Sequence, residues 1–323
     1  MAKRALAPLS ARWKADRAPQ VTSAELPDAV DALFCHSIDA GLLDVAAKDM
    51  ARREGVGDRG LLNVMYAPYR REALRAQASV ADPSKSVLLD PPNPEQRGLS
   101  WRGYLLWPNM FPYFPVQAQH VVVVAAKERA QAWDPAVFAD MIAYQSAAKP
   151  NTTMIFNGIA GNSQDQLHWH AVGDRLPVER ALDDGLVEAT TKRNDHDGRI
   201  RTFEDGYFAG ILVEGTAAYV QREASALVRR LEREPPTSGK YNTVLMTPKD
   251  GRTRALLFPR RAGVLGSEFG TITIGGTMLV QGKAPVDLVQ REAAARQQVV
   301  APSELPWLDE ALRRGRDPRL RLL

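Results

Sequence analysis

The sequence predicts an α+β fold, on three observations. Strand-length apolar runs such as Val121–Val124 and Tyr241–Thr247 recur between glycine- or proline-bearing breaks. A smaller number of stretches carry apolar residues at helical spacing. One stretch, Phe156–Val172 (FNGIAGNSQDQLHWHAV), joins an apolar run, a glycine-bearing polar loop and two histidines two residues apart.

In chain order, a polar, proline-containing arm precedes a helix expected over 29–52, whose apolar stripe is Leu33, Phe34, Ile38, Leu42, Leu43 and Val45. His36 on that helix reads as structural. Leu61–Met65 is a short strand, and 82–98 a proline-rich loop in which the pyrrolidine rings remove ladder donors. Strands are expected at 103–107 and 119–125. Asp134-Pro135 has the order of an N-cap followed by a first-turn proline, and Val137, Phe138, Met141 and Ile142 give the helix behind it one apolar stripe. A strand over 152–157 then delivers the glycine loop. Residues 193–201, with His196 between Asp195 and Asp197, read as an exposed loop. Beyond them come a strand at 207–213, an amphipathic helix through Val220, Leu227 and Leu231, strands at 241–247, 255–259 and 269–280, and helices at 285–299 and 303–314.

Composition narrows the class. The chain has 323 residues, 45% of them hydrophobic and 25% charged, which suits a globular protein with a sizeable core. Its one cysteine, Cys35, excludes an internal disulfide framework and a cysteine-based zinc site, and fits a reducing compartment, so the cytoplasm is the expected location. A net charge of +4 is mild, and the two basic ends, 3–17 and 313–321, read as solvated tails, not nucleic-acid patches. No apolar run approaches the roughly 20 residues that span a bilayer, and the start lacks a secretory apolar region. Neither nucleic acid nor membrane is an expected partner.

The chemistry concentrates at 156–172. If 167–172 is extended, Gln166, His168 and His170 share one face while Leu167, Trp169 and Ala171 share the other. Gly158 and Gly161 let the preceding loop turn the amides of 161–164 inward as an anion nest. Spacing alone is equally met by packed core histidines, an adventitious metal pair, or polar residues on a wet sheet face.

The run Ser163-Gln164-Asp165-Gln166-Leu167-His168-Trp169-His170 resembles the histidine-triad (HIT) superfamily pattern, in which a serine stands five residues before a nucleophilic histidine. More narrowly it is similar to the nucleotidyltransferase branch: galactose-1-phosphate uridylyltransferases, diadenosine tetraphosphate phosphorylases, which Ala160–Gln164 resembles, and GDP-hexose phosphorylases, which Arg175-Leu176-Pro177-Val178-Glu179 resembles. Tyr66-Ala67-Pro68, the stretch 104–124 and the segments around Tyr241 and Arg260 are also similar to that branch.

The resemblance implies a HIT-like, mainly antiparallel sheet with flanking helices, in two HIT-like halves: an arm and helix over 1–60, a catalytic half over 61–205 and a C-terminal half over 206–323. It implies that His168 attacks the α-phosphorus of a dinucleoside polyphosphate or NDP-sugar and carries the nucleoside monophosphate, with phosphate or a sugar phosphate as acceptor. Ser163, Gln164, the Gly161 amide and Gln166 would stabilise phosphate charge; Asn109 and Phe111 would line the nucleoside pocket; Asn157 would lie on the nucleotide; Arg260, and Arg70 or Arg71, would contact phosphate; and His120 would be a structural strand histidine. No resident metal is implied: Ser86-Val87-Leu88-Leu89 stands where relatives carry a C-x-x-C zinc clip, and magnesium would come with the substrate phosphates. The chain departs from the pattern twice. Gln166 replaces the first histidine of many members, and His170 replaces the glutamine usual in the transferases. A nucleotide hydrolase of the same fold, and a catalytically inactive nucleotide-binding module, are the alternatives.

Overall fold

The computed structural model describes residues 9–14, 16–43, 51–56, 61–66, 88–89, 96–109, 114, 118–158, 165–237, 239–261, 271–280 and 297–314. The fold is α+β. Thirteen strands are described: β1 (Ala51–Val56), β2 (Leu62–Tyr66), β3 (Leu99–Trp101), β4 (Tyr104–Pro108), β5 (Val121–Ala125), β6 (Thr153–Asn157), β7 (His168–Val172), β8 (Thr190–Asp195), β9 (Gly198–Glu204), β10 (Ala209–Gly215), β11 (Tyr241–Lys249), β12 (Arg252–Pro259) and β13 (Thr277–Val280). The helices are α1 (Leu26–Asp39), α2 (Pro135–Ala147), α3 (Pro177–Asp183), α4 (Ala217–Arg233), α5 (Thr271–Ile274) and α6 (Leu308–Arg314).

Ten strands form one sheet in the order β3-β4-β5-β7-β6-β11-β12-β10-β9-β8. Every neighbouring pair in it is antiparallel. Read from its two ends, this order is the same pattern twice. Three sequential strands are followed by a helix and then two more strands, the last of which inserts beside the third: β3-β4-β5-α2-β6-β7, then β8-β9-β10-α4-β11-β12. The two units meet through β6 and β11, where Asn157 pairs Asn242 and Ile155 pairs Val244. The unit boundary therefore falls between Val172 and Thr190; the expected division at 205 would have cut β8 and β9 away from their own unit.

Period-two alternation sorts the strand residues onto two faces. One face packs Trp101, Phe156, Trp169, Ile211, Leu245 and Leu257 under α1, α2 and α4. The opposite face packs Ile155, Val172, Leu212, Val244, Leu256 and Phe258 against α3, α5 and Leu62 of β2. β2 belongs to a smaller sheet, β1-β2-β13, in which β13 runs parallel to β2.

Several local expectations are corrected. The first helix stops at Asp39, not at 52, because the chain turns through Gly41 at φ +68, a left-handed conformation that glycine adopts without strain; Arg52 lies in β1. Residues 193–201 form a hairpin, not a loop, because the Arg193 cation is buried between Asp195 and Glu223 at 2.6 and 3.0 Å; His196 and Asp197, at its tip, are exposed. The run 269–280 is broken into α5 and β13 at Gly276 (φ +98), where a Cβ would lie 2.9 Å from Pro177. A 3-10 turn at Pro302–Glu304 precedes the short α6. The N-terminal arm is not a solvated tail within 9–14: Leu9 and Trp13 are buried, and Trp13 donates to the Gly98 carbonyl at 2.9 Å. The expected helix at 285–299 lies outside the described residues up to 296.

Candidate functional site

β7 is held between β5 and β6. His168 lies opposite Val124, and His170 lies opposite both Val122 and Ile155. Trp169 sits on the helix-covered face and is fully buried, with the Tyr104 ring edge-on at 4.3 Å. The apolar back thus fixes the register that turns both histidines to the other face.

His168 is itself 4% exposed. Its Nδ1 lies 2.7 Å from the backbone carbonyl of Gln166. A carbonyl oxygen only accepts, so Nδ1 carries the hydrogen and Nε2 keeps the in-plane lone pair. Among the described residues nothing hydrogen-bonds that Nε2. Burial pushes the His168 pKa below 6.5, the Gln166 carbonyl opposing it, so the imidazole is neutral near pH 7.

The His170 ring stands edge-on to His168, centroids 5.4 Å apart. Its Nδ1 is 3.0 Å from Nε2 of His120, so the two rings share a hydrogen. Asn109, expected in a nucleoside pocket, brings its amide nitrogen within 3.1 Å of that same Nε2. His120 is therefore joined to the chemical face, a link that its expected structural role did not include.

A second line of side chains crosses the seam between the units. Asn157 accepts from the Asn242 amide at 3.1 Å, Asn242 accepts from Arg260 Nη1 at 2.6 Å, and Arg260 Nη2 also donates to Gln298. Arg260 is buried, and desolvation lowers its pKa to about 10. Arg260, expected as a phosphate contact, thus has its guanidinium tied into the seam between the units.

Gln166 is corrected as well. Its carbonyl oxygen accepts from the Arg129 N–H at 3.1 Å, and its amide donates to the carbonyls of Ala125 and Lys127 at 2.9 and 2.8 Å. Those contacts occupy the amide with backbone, so what Gln166 offers His168 is its main-chain carbonyl. Gly158 ends β6 where Tyr241 comes close: a Cβ there would stand 2.6 Å from the Tyr241 carbonyl oxygen.

Phe111, Gly161, Ser163, Gln164, Arg70 and Arg71 lie outside the described residues. Sequence reading missed Gln131, Asn242 and Gln298, whose amides are tied into this region. Asn242 stands in the Tyr241 segment that resembles the transferase branch, where it carries no expected role; Gln131 and Gln298 carried no pattern. Among the described residues, no group of three or more His, Cys, Asp or Glu side chains is placed to hold a metal ion, and no helix is long and apolar enough to cross a membrane.

Fold and site together define an α+β protein with a buried, tautomer-fixed histidine at the start of a central strand. No family model matches the chain, and no curated protein matches it. Among solved structures it is similar to a DUF4931 family protein from Bacillus cereus, at 11% identity and a TM-score of 0.40, over 60% of this chain and 94% of that one.

Proposed function

We propose that the chain is a HIT-like nucleotidyltransferase of the phosphorylase type, with His168 as nucleophile. The observation that supports it most is the state of His168: neutral, with Nδ1–H committed to the Gln166 carbonyl and Nε2 left as the lone-pair nitrogen. In the proposed first step Nε2 attacks the α-phosphorus of a dinucleoside polyphosphate or NDP-sugar. The bond to the bridging oxygen breaks, and the leaving nucleoside polyphosphate or sugar phosphate takes its electron pair. The nucleoside monophosphate remains on Nε2 as a phosphoramidate. In the second step an oxygen of phosphate or a sugar phosphate attacks that phosphorus and frees the imidazole. The loop around Ser163 and the Gly161 amide would supply donors to the non-bridging oxygens, where one preorganised donor is worth about a hundredfold in rate or more.

A hydrolase is the second reading, and the hydrogen shared between His170 and His120 favours it. A glutamine at 170 could only hydrogen-bond, whereas an imidazole backed by another imidazole can take a proton from water.

Incubation with a panel of NDP-sugars, dinucleoside polyphosphates and nucleoside triphosphates, followed by intact mass measurement, tests the proposal. One acid-labile nucleoside monophosphate adduct is expected, absent in His168→Ala and kept in His196→Ala. Adduct formation should fall off only below pH 6.5, because the depressed pKa of His168 keeps the nucleophile neutral down to lower pH. No adduct with any nucleotide, or an adduct on His170, would defeat it.

A further inference from the structure

Two connections beside His168 are longer in the first unit than their counterparts in the second. In the second unit, strand three reaches its helix through Thr216 alone, and strands four and five are joined by the tight turn Asp250-Gly251. In the first unit the same two connections are the long segments 126–134 and 158–167. Where described, these segments are laced to one another. Leu167 N–H donates to the Arg129 carbonyl and Gln131 N–H to the Asp165 carbonyl, both at 2.7 Å, and Ala130 forms a bridge with Gln166.

One side chain closes this lacing into a ring. The Gln131 amide donates to the carbonyl of Asn157, where the loop begins, at 2.7 Å, and to the carbonyl of His168, where it ends, at 3.0 Å. Its own oxygen accepts from the His168 N–H at 2.7 Å. Gln131 is buried, so each of these groups would otherwise lack water as a substitute partner. A long loop loses closure entropy that a tight turn does not, and Gln131 pins both its ends to one amide.

We propose that Gln131 is the positioning residue of the site: it fixes the backbone of His168 relative to Asn157, the two ends of the connection between β6 and β7, and thereby the direction in which Nε2 points. This rests on His168 being the nucleophile. Gln131 touches no reacting atom in this scheme and acts through His168. Displacement of a nucleophile by about 1 Å costs about a hundredfold in rate.

The test uses Gln131→Met, which keeps the volume and removes all three hydrogen bonds, and Gln131→Glu, which keeps the acceptor for the His168 N–H and removes the donors. Two readouts are taken on the full chain: adduct formation across nucleotide concentrations, and the titration of His168 in ligand-free protein, followed as the pH dependence of its diethyl pyrocarbonate modification by mass spectrometry. Both variants are expected to lose about a hundredfold in maximal adduct rate with half-saturation nearly unchanged, and to move the His168 titration back up toward 6.5 as its burial loosens. A structural residue alone would lower the melting temperature and leave the rate per folded molecule and the titration where they were; that result, or failure of both variants to fold, overturns the proposal. If the wild-type chain forms no adduct with any nucleotide, the nucleotidyl reading fails, and the His168 titration in the variants still decides the role of Gln131.

Discussion

Glu179 offers a measurement that the rest of the fold cannot mimic. Its carboxyl is fully buried in α3, between the two units: it accepts from Thr153 Oγ1 of β6 at 2.8 Å, from the Leu176 N–H at 3.0 Å and from the Thr247 N–H of β11 at 3.2 Å. Burial raises its pKa from 4.5 to about 7, against the pull of Thr153, the Leu176 amide, Arg175 and Arg254. The folded chain thus binds this proton more tightly than the unfolded chain does. The stabilising contribution is complete below pH 4.5 and is lost as pH rises to 7. A rise of about 2.5 pH units corresponds to about 3 kcal/mol. Urea unfolding at pH 5, 6, 7 and 8 should show the wild type losing up to about that much stability across the range relative to Glu179→Gln, which cannot titrate. The glutamine places an N–H against one of three donors, so its curve is expected to be lower at pH 5 and to converge on or cross the wild-type curve at pH 8. Parallel curves would show that Glu179 is ionised throughout, and that its three donors outweigh its desolvation.

Two further outcomes follow from the site. Gly158→Ala should destabilise by about 1–3 kcal/mol, because the new Cβ meets the backbone oxygen of Tyr241 at 2.6 Å; a melting temperature equal to that of the wild type would refute the close-approach account. His170→Gln should still form the His168 adduct but shift its fate from water toward phosphate, since the pair with His120 is lost; an unchanged ratio of hydrolysis to transfer from preformed adduct would reduce His170 to a positioning group.

What could be read in the sequence was what local pattern encodes. Alternation placed His168 and His170 opposite Trp169, and the strand bears that out because Trp169 and Leu167 anchor it from behind. Asp134-Pro135 opened a helix, with the Asp134 carboxylate accepting from the Ala136 N–H at 2.7 Å. What could not be read depended on which strands become neighbours. Arg193 reads as one more charge in a polar run until Glu223 of α4 arrives beside it. Gln166 reads as a donor to phosphate until 125–129 comes to occupy its amide. The doubled topology leaves no visible repeat, because strand order is set by packing between distant segments and not by the identity of residues along each strand.

The shared seam also bears on how the chain avoids sticking to copies of itself. Within either unit taken alone, the fourth strand would be an edge, and both are built as interior strands: Met154, Ile155 and Phe156 in β6, and Val244, Leu245 and Met246 in β11, are fully buried. An exposed apolar edge of this kind is a template for uncontrolled strand addition. Each unit caps the other's vulnerable strand, so a chain cut between Val172 and Thr190 should yield fragments that aggregate singly and become soluble when expressed together.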